Sequence, residues 1–434
     1  MKSLIIFRNK ITITNRGFLT VEIIISFSLL VLFTVATFTL NSSIIKIKLW
    51  SIEELNTMET LSKDILNNIS LGDIYYGNYT KIFFNKLFSI SKTNFVDSWG
   101  KTYCDPKLKF DIKNYSLNQN NIDIGILNHS TDVEVRNNIV YLSADSSVSS
   151  RSDLFIFDTN DVNSIKLISS INTGPGVSAL EVVGPYVYMA QASTINQLQV
   201  LDIHDRYNPK LISQIKLPLP TSSTTPPFAS SLYYSRGYIY LGTEKWNGYE
   251  LSIVSVQDPY NPTVVGSFET NTLINDILAI DNKVYLASSD EKQMRILDVS
   301  NPSNPILINS FSPSGWQTQE GKVFESFEGS IALGRTVGGF NIQANHELFI
   351  FPTSTPMKSK DIVGGVYGIL LREKYILVLT HNNSKEFQVF DYESMNKVLD
   401  FELGSNPVRM VCDNDNIFFA TGDNSGFIFL KNNE

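Results

Sequence analysis

The hydrophobic pattern changes character along the chain. Phe18–Leu40 is an apolar run of 23 residues whose one charge is Glu22, long enough to cross a bilayer as a helix. From Ser51 to Ile69, apolar residues recur at steps of three or four (Ile52, Leu55, Met58, Leu61, Ile65, Leu66, Ile69), with Glu53, Glu54, Glu59, Lys63 and Asp64 between them. This spacing predicts an amphipathic helix with one buried stripe. No Pro or Gly interrupts Phe18–Leu71, so one helix of ~80 Å is expected at 1.5 Å per residue, stopping at Gly72. Beyond Asp132 the pattern shortens to runs rich in Val, Ile, Leu and Tyr, bounded by Asn, Asp, Gly and Pro. These read as strands.

The strands come in a repeat of roughly 39–54 residues, a spacing typical of propeller blades. Leu198–Ile212 (LQVLDIHDRYNPKLI), Leu251–Val265 (LSIVSVQDPYNPTVV) and Met294–Ile308 (MRILDVSNPSNPILI) are three copies of strand, Asn-Pro turn and strand, and a degenerate fourth begins at Leu154. Proline fixes φ and cannot donate to a ladder, so it belongs in the turn. These segments resemble the LVIVD repeat, a β-propeller blade motif; the resemblance extends over most of Asp132–Glu434 and weakens near Ile331–Pro352. Ahead of each copy, Tyr141, Tyr188, Tyr240 and Tyr285 recur at one position, which suits packing between blades better than ligand binding.

Seven units begin near Asp132, Val177, Phe228, Leu273, Phe324, Val366 and Asn406. The expected fold of residues 122–434 is therefore an all-β propeller, with seven blades favoured over six or eight. The last unit has three strands, so closure of the ring needs a strand from upstream. Ile122–Leu127 is the candidate.

The polar-to-apolar boundary near the N-terminus falls before the apolar run, at Arg16-Gly17-Phe18-Leu19-Thr20-Val21-Glu22. It resembles the leader of type IV prepilins and pseudopilins, with Leu19-Thr20 where Thr-Leu is commoner. The resemblance implies a leader over 1–17, cut after Gly17 by a prepilin peptidase, and N-methylation of the new Phe18 amine. It also implies a pilin-type helix over 18–71, with 18–40 in the membrane. Glu22 would pair with the Phe18 amine of a neighbouring pilin or pseudopilin subunit, since a buried charge is tolerated mainly when paired. Residues 72–121 would form a small pilin-like head or connector; there Asp97–Tyr103 (DSWGKTY) resembles a pseudopilin turn that carries two prolines lacking here. A β-turn around a buried Trp99 is the alternative.

Charge supports this topology. Lys2, Arg8, Lys10 and Arg16 precede the apolar run with no acidic residue among them, which predicts a cytoplasmic N-terminus and an exported remainder, at the cell surface or in a pilus. The chain as a whole carries a net charge of −8, which argues against a nucleic-acid partner. Cys104 and Cys412 are the two cysteines. They exclude a disulfide framework, and either two independent thiols or a single bridge is compatible with them.

Candidate chemistry is sparse. His129, His204, His346 and His381 show no zinc-type spacing. Asp158, Asp202, Asp298 and Asp391 recur at the ends of inner strands, where turn hydrogen bonds are the expected duty. Asp413–Asn416 and Gly422–Gly426 lack the spacing of a calcium loop and read as hairpin turns. Gly334–Phe340 lacks Walker spacing and suits a bulged or bent strand. No catalytic residue, metal or cofactor is expected. Loop aromatics Trp246, Tyr249 and Trp316 are the candidate ligand-binding residues for an extracellular protein or glycan. The expected function is a non-enzymatic minor pilin or pseudopilin-like subunit displaying the propeller for adhesion or interaction. The alternative is a membrane-anchored propeller, enzyme or binding protein, that does not assemble.

Overall fold

The computed structural model describes Phe95–Val96, Thr102–Tyr103, Tyr115–Asn118 and, with short interruptions, residues 122–432. The leader, the apolar run and the amphipathic helix lie outside the described residues, with Gly17, Phe18 and Glu22; so do Trp99, Cys104 and Trp316. The chain divides into two units, Met1–Thr80 and Lys81–Glu434, and everything described belongs to the second. Among the described residues no helix is long and apolar enough to cross a membrane.

Seven four-stranded antiparallel sheets account for residues 115–432. Their first strands are Asn128–Arg136, Val177–Val183, Ala229–Ser235, Ile274–Ile280, Gly321–Phe327, Gly368–Leu371 and Arg409–Asp413. Each first strand touches the first strand of the next sheet, and the seventh touches the first. The first strands therefore surround a common axis, and the sheets are the blades of a closed seven-bladed propeller.

The apolar core confirms the closure. It consists of seven clusters, each drawn from two adjacent blades, including one between blades 7 and 1. An open array of seven sheets would have only six such layers. The recurrent tyrosines sit in or against them. Tyr188 stacks on Tyr234 of the next blade at 6.1 Å, and Tyr285 meets Phe324 edge-on at 6.3 Å. The hydroxyl of Tyr141 accepts from Arg206 Nε at 3.1 Å. Packing between blades is their role.

The strand that closes the ring differs from the expected one. Blade 7 takes Arg409–Asp413, Asn416–Ala420 and Phe427–Asn432 from the C-terminal end, and its outermost strand is Tyr115–Asn118. Tyr115 pairs with Asn432 and Asn118 with Phe429. Tyr115 and Leu117 alternate onto the core between blades 6 and 7, the period-two pattern that fixes strand register. Ile122 and Ile124 instead pack between blades 7 and 1, and the Ile124 amide donates to the Asn424 carbonyl at 3.1 Å. That segment carries the chain across the seam. The Gly422–Gly426 connection lies in the same seam, with the Gly422 amide donating to Ser130 Oγ at 3.0 Å.

Local turn chemistry follows the sequence closely. Asp158, Asp202, Asp298 and Asp391 end the third strand of their blades, not the innermost one. Each accepts a backbone amide from two or three residues on, such as His204 N at 2.9 Å and Ser300 N at 2.8 Å. First-to-second-strand hairpins turn at Asn137-Asn138 and Arg236-Gly237, all with positive φ, as two-residue hairpin turns of this hand require.

Candidate functional site at the channel entrance

The innermost strands of blades 1 to 5 share an irregularity. Each skips one residue of pairing near its start, a bulge that re-aims the unpaired side chain. The skipped residues are Thr131, Ser178, Ser230, Asn275 and Lys322. Three of them make the same bond to the next blade. Thr131 Oγ1 donates to Val177 O at 2.6 Å, Ser230 Oγ to Ile274 O at 2.7 Å and Asn275 Nδ2 to Gly321 O at 2.8 Å. Lys322 breaks the series. Among the described residues its ammonium has no hydrogen-bond or ion-pair partner.

Charged groups converge around this end of the channel, and the carboxylates among them are engaged. Asp276 accepts from Phe324 N at 2.7 Å and from Arg409 Nη2 at 3.0 Å. Asp132 accepts from Val133 N at 2.9 Å and Leu180 N at 3.0 Å, with Arg409 Nε at 3.7 Å. Arg409 of blade 7 thereby ties blade 1 to blade 4 across the channel. Glu320 takes the Ser289 hydroxyl at 2.9 Å and Asn275 Nδ2 at 3.4 Å. Deeper along the channel wall, Glu134 accepts from Val182 N at 2.8 Å and pairs with Arg136 at 2.9 Å.

The protonation equilibria reflect burial first. Desolvation raises the Asp132 carboxyl to about 6, against the opposing pull of Arg409. Burial holds the Lys322 ammonium below its ordinary value; Arg409 pushes the same way, while Glu320 and Asp276 oppose. His381 is lowered by burial, and Lys322 adds to the effect. Its ring lies flat against Tyr367, centroids 3.5 Å apart and planes 11° from parallel. The His381 Nε2–H donates to the Pro407 carbonyl at 3.2 Å, a bond that favours the charged ring and opposes the effect of burial. Among the described residues the entrance thus offers a cation without a hydrogen-bond or ion-pair partner near a stacked aromatic pair, with Asp132 and Asp276 engaged by backbone amides and Arg409 and Glu320 held through Oε2. Such an arrangement suits holding an anionic group. Among the described residues, no group of three or more His, Cys, Asp or Glu is placed to hold a metal ion.

Trp246 and Tyr249 lie on the blade 3 connection that opens at the same end as the bulged residues, since Thr243 pairs with Ala229 at the start of the innermost strand. Trp246 is folded onto its own loop. Its indole N–H donates to the Tyr249 carbonyl at 3.2 Å, and a side chain at Gly248 would meet the ring within 2.4 Å. Tyr249 is half exposed. The structure does not bring either residue to Lys322. Gly334 and Arg335 close the second strand of blade 5 (Ser330–Arg335), opposite the bulge of its first strand, and a Cβ at Gly334 would lie 2.4 Å from Val366 of the next blade; residues 337–340 of the Gly334–Phe340 stretch lie outside the described residues. Arg335 is fully buried over the Phe349 ring.

Sequence reasoning missed a recurrent buried polar position. Asp153, Gln197, Glu250, Gln293, Glu347 and Glu386 each directly precede a third strand and are buried. Most cap a backbone amide in the connection that leaves the same blade. Asp153 takes Thr173 N at 2.8 Å, Gln197 takes Leu217 N at 2.9 Å, Glu250 takes Thr270 N at 2.8 Å, Glu347 takes Ile362 N at 2.7 Å and Glu386 takes Leu403 N at 2.9 Å. An acid or amide immediately before each apolar third strand was the available signal. Cys412 was also left open, and it is disulfide-bonded. The chain's other cysteine, Cys104, follows the described pair Thr102–Tyr103, which packs on Arg409–Asp413.

Comparison with known families points to the same repeat. Residues 275–312 match the LVIVD repeat. Blade 4 is an LVIVD blade. No curated protein matches the chain. Solved structures similar to it are propellers of varied function at low identity. A virginiamycin B lyase from Staphylococcus aureus, solved as a catalytically inactive variant with quinupristin, has a TM-score of 0.52 at 13% identity, covering 73% of this chain and 98% of the lyase. The extracellular domain of a one-component system from B. thetaiotaomicron has a TM-score of 0.51 at 14% identity, over 72% of this chain and 39% of that one. The WD40 propeller domain of Doa1 gives 0.50 at 11% identity, over 73% and 96%. At these identities the likeness shows the propeller fold alone, and that fold serves enzymes and non-enzymes in this set.

Proposed function

We propose that the chain is a non-enzymatic, pilin-like subunit that displays its propeller outside the cell for adhesion or for interaction with a protein or glycan. The observation that carries this reading is the segment Gly17-Phe18-Leu19-Thr20-Val21-Glu22 at the head of an uninterrupted apolar run. A prepilin peptidase would cut after Gly17, and Glu22 would pair with the Phe18 amine of a neighbouring pilin or pseudopilin subunit. The disulfide at Cys412 supports export independently, because disulfides persist in oxidising compartments. A propeller of this size is bulky for a subunit packed along a filament, which favours a low-copy position such as the tip.

Mass spectrometry of the N-terminus after co-expression with a prepilin peptidase tests the pathway. A mature chain starting at N-methylated Phe18 is the expected result. An intact Met1 terminus beside an active peptidase would reject it and leave a signal-anchored propeller. Replacing Glu22 by Ala should abolish assembly with partner subunits while leaving cleavage intact.

A further inference from the structure

The bulge position is structural in blades 1, 3 and 4, where Thr131, Ser230 and Asn275 each tie the strand to the next blade. In blade 5 the same position carries the longest side chain of the five, and that tie is absent among the described residues. Lys322 is half-buried, and an ammonium removed from water without a hydrogen-bond acceptor is costly to the fold. Glu320 and Asp276 lie near enough to favour its charge, but among the described residues neither forms an ion pair with it. Asp276 is held by Phe324 N and Arg409, Asp132 by two backbone amides, and Glu320 by Ser289 and Asn275. A charge kept at such a cost, where the ring's repeat would place a small hydrogen-bonding side chain, is the mark of a binding site.

We propose that the channel entrance binds the carboxylate of an acidic sugar unit, with Lys322 as the counter-charge and the Tyr367–His381 pair as the flat wall beside it. The inference rests on the display function above and specifies its ligand. A singly charged anion matches a single unpartnered ammonium. The neighbouring carboxylates disfavour more highly charged groups by like-charge repulsion. The stacked rings offer a planar surface against which a pyranose can lie. The hydroxyl of Ser178, at the same bulge position in blade 2 and without a hydrogen bond among the described residues, adds a donor and acceptor at the entrance.

Isothermal titration of the full chain in detergent with D-glucuronate, D-glucose, acetate and inorganic phosphate tests the site. Glucuronate should bind, and glucose and phosphate should be at least tenfold weaker. Lys322→Met should lose glucuronate binding at least tenfold, and Lys322→Arg should retain it. The melting temperature of each variant shows whether it folds, and Lys322→Gln provides a second variant of lower apolarity. Equal binding of glucuronate and glucose would overturn the proposal, as would undiminished glucuronate binding by folded Lys322→Met or Lys322→Gln. Acetate binding as tightly as glucuronate would overturn the sugar assignment. These outcomes are independent of N-terminal processing, so failure here leaves the display function standing.

Discussion

Asp153 offers the sharpest test of how the blades are capped. It is fully buried before the third strand of blade 1, and its Oδ1 accepts from the Thr173 amide at 2.8 Å and the Thr173 hydroxyl at 2.9 Å. Its other oxygen, Oδ2, is buried and has no hydrogen-bond partner among the described residues. Burial raises the carboxyl from 3.8 to about 6, against the pull of those hydrogen bonds. Because the folded-state pKa lies above the unfolded one, the folded protein binds the proton more tightly. The associated stability is fully present below about pH 4 and is lost as pH rises through about 6. A displacement of about two pH units corresponds to about 3 kcal/mol at most.

Asn at this position keeps the cap, because its carbonyl oxygen can replace Oδ1, and it cannot ionise. Gln197 and Gln293 already place neutral amides there in blades 2 and 4. Denaturant unfolding of the oxidised full chain, followed by far-UV circular dichroism at a series of pH values, gives the comparison. Between about pH 4 and about pH 7.5, Asp153→Asn should lose about 2–3 kcal/mol less stability than the parent. The slope due to Asp132 and Glu347, which burial raises to about 6 and about 7, is common to both proteins and cancels in the difference. Parallel stability–pH curves would show that Asp153 ionises as in water and would refute the burial argument.

The other structural predictions concern the channel and the closure. Arg409→Met strands the Asp132 and Asp276 carboxylates, which are mostly buried, and should cost about 3 kcal/mol near neutral pH. The loss should shrink as pH falls below the Asp132 value of about 6, a trend that denaturation at two pH values would read. Leu117→Asp places a charge on the closing strand, where Leu117 pairs with Leu430, and should cost about 2 kcal/mol. Hydrogen exchange should speed up in Phe427–Asn432 first; protection lost equally in all blades would contradict a local seam.

Much of the propeller was legible in the chain because its determinants are local and repeated. The Asn-Pro turns of Leu198–Ile212, Leu251–Val265 and Met294–Ile308, the aspartates that end third strands, and the tyrosines of the second strands each act over a few residues. Repetition over three or four blades then multiplies the signal, and the period extended along the chain gives the ring size. The aromatics chosen as ligand contacts were less informative, because composition does not reveal that the Trp246 indole bonds its own loop.

The sequence by itself determined the repeat, the strand boundaries, the turn chemistry and the segment around Gly17 that resembles a prepilin leader. Tertiary structure decided which residues meet. Tyr115–Asn118 outcompetes Ile122–Leu127 for the open edge of blade 7 because its alternating side chains fit the core between blades 6 and 7, and that core exists only once the chain ends come together. Arg409 reaches Asp132 and Asp276 only across a closed ring. Lys322 differs from Thr131, Ser230 and Asn275 only when the five bulges are superimposed on one axis. These are contacts between residues far apart in sequence, so no local pattern encodes them; they follow from the closure of seven sheets around a common channel.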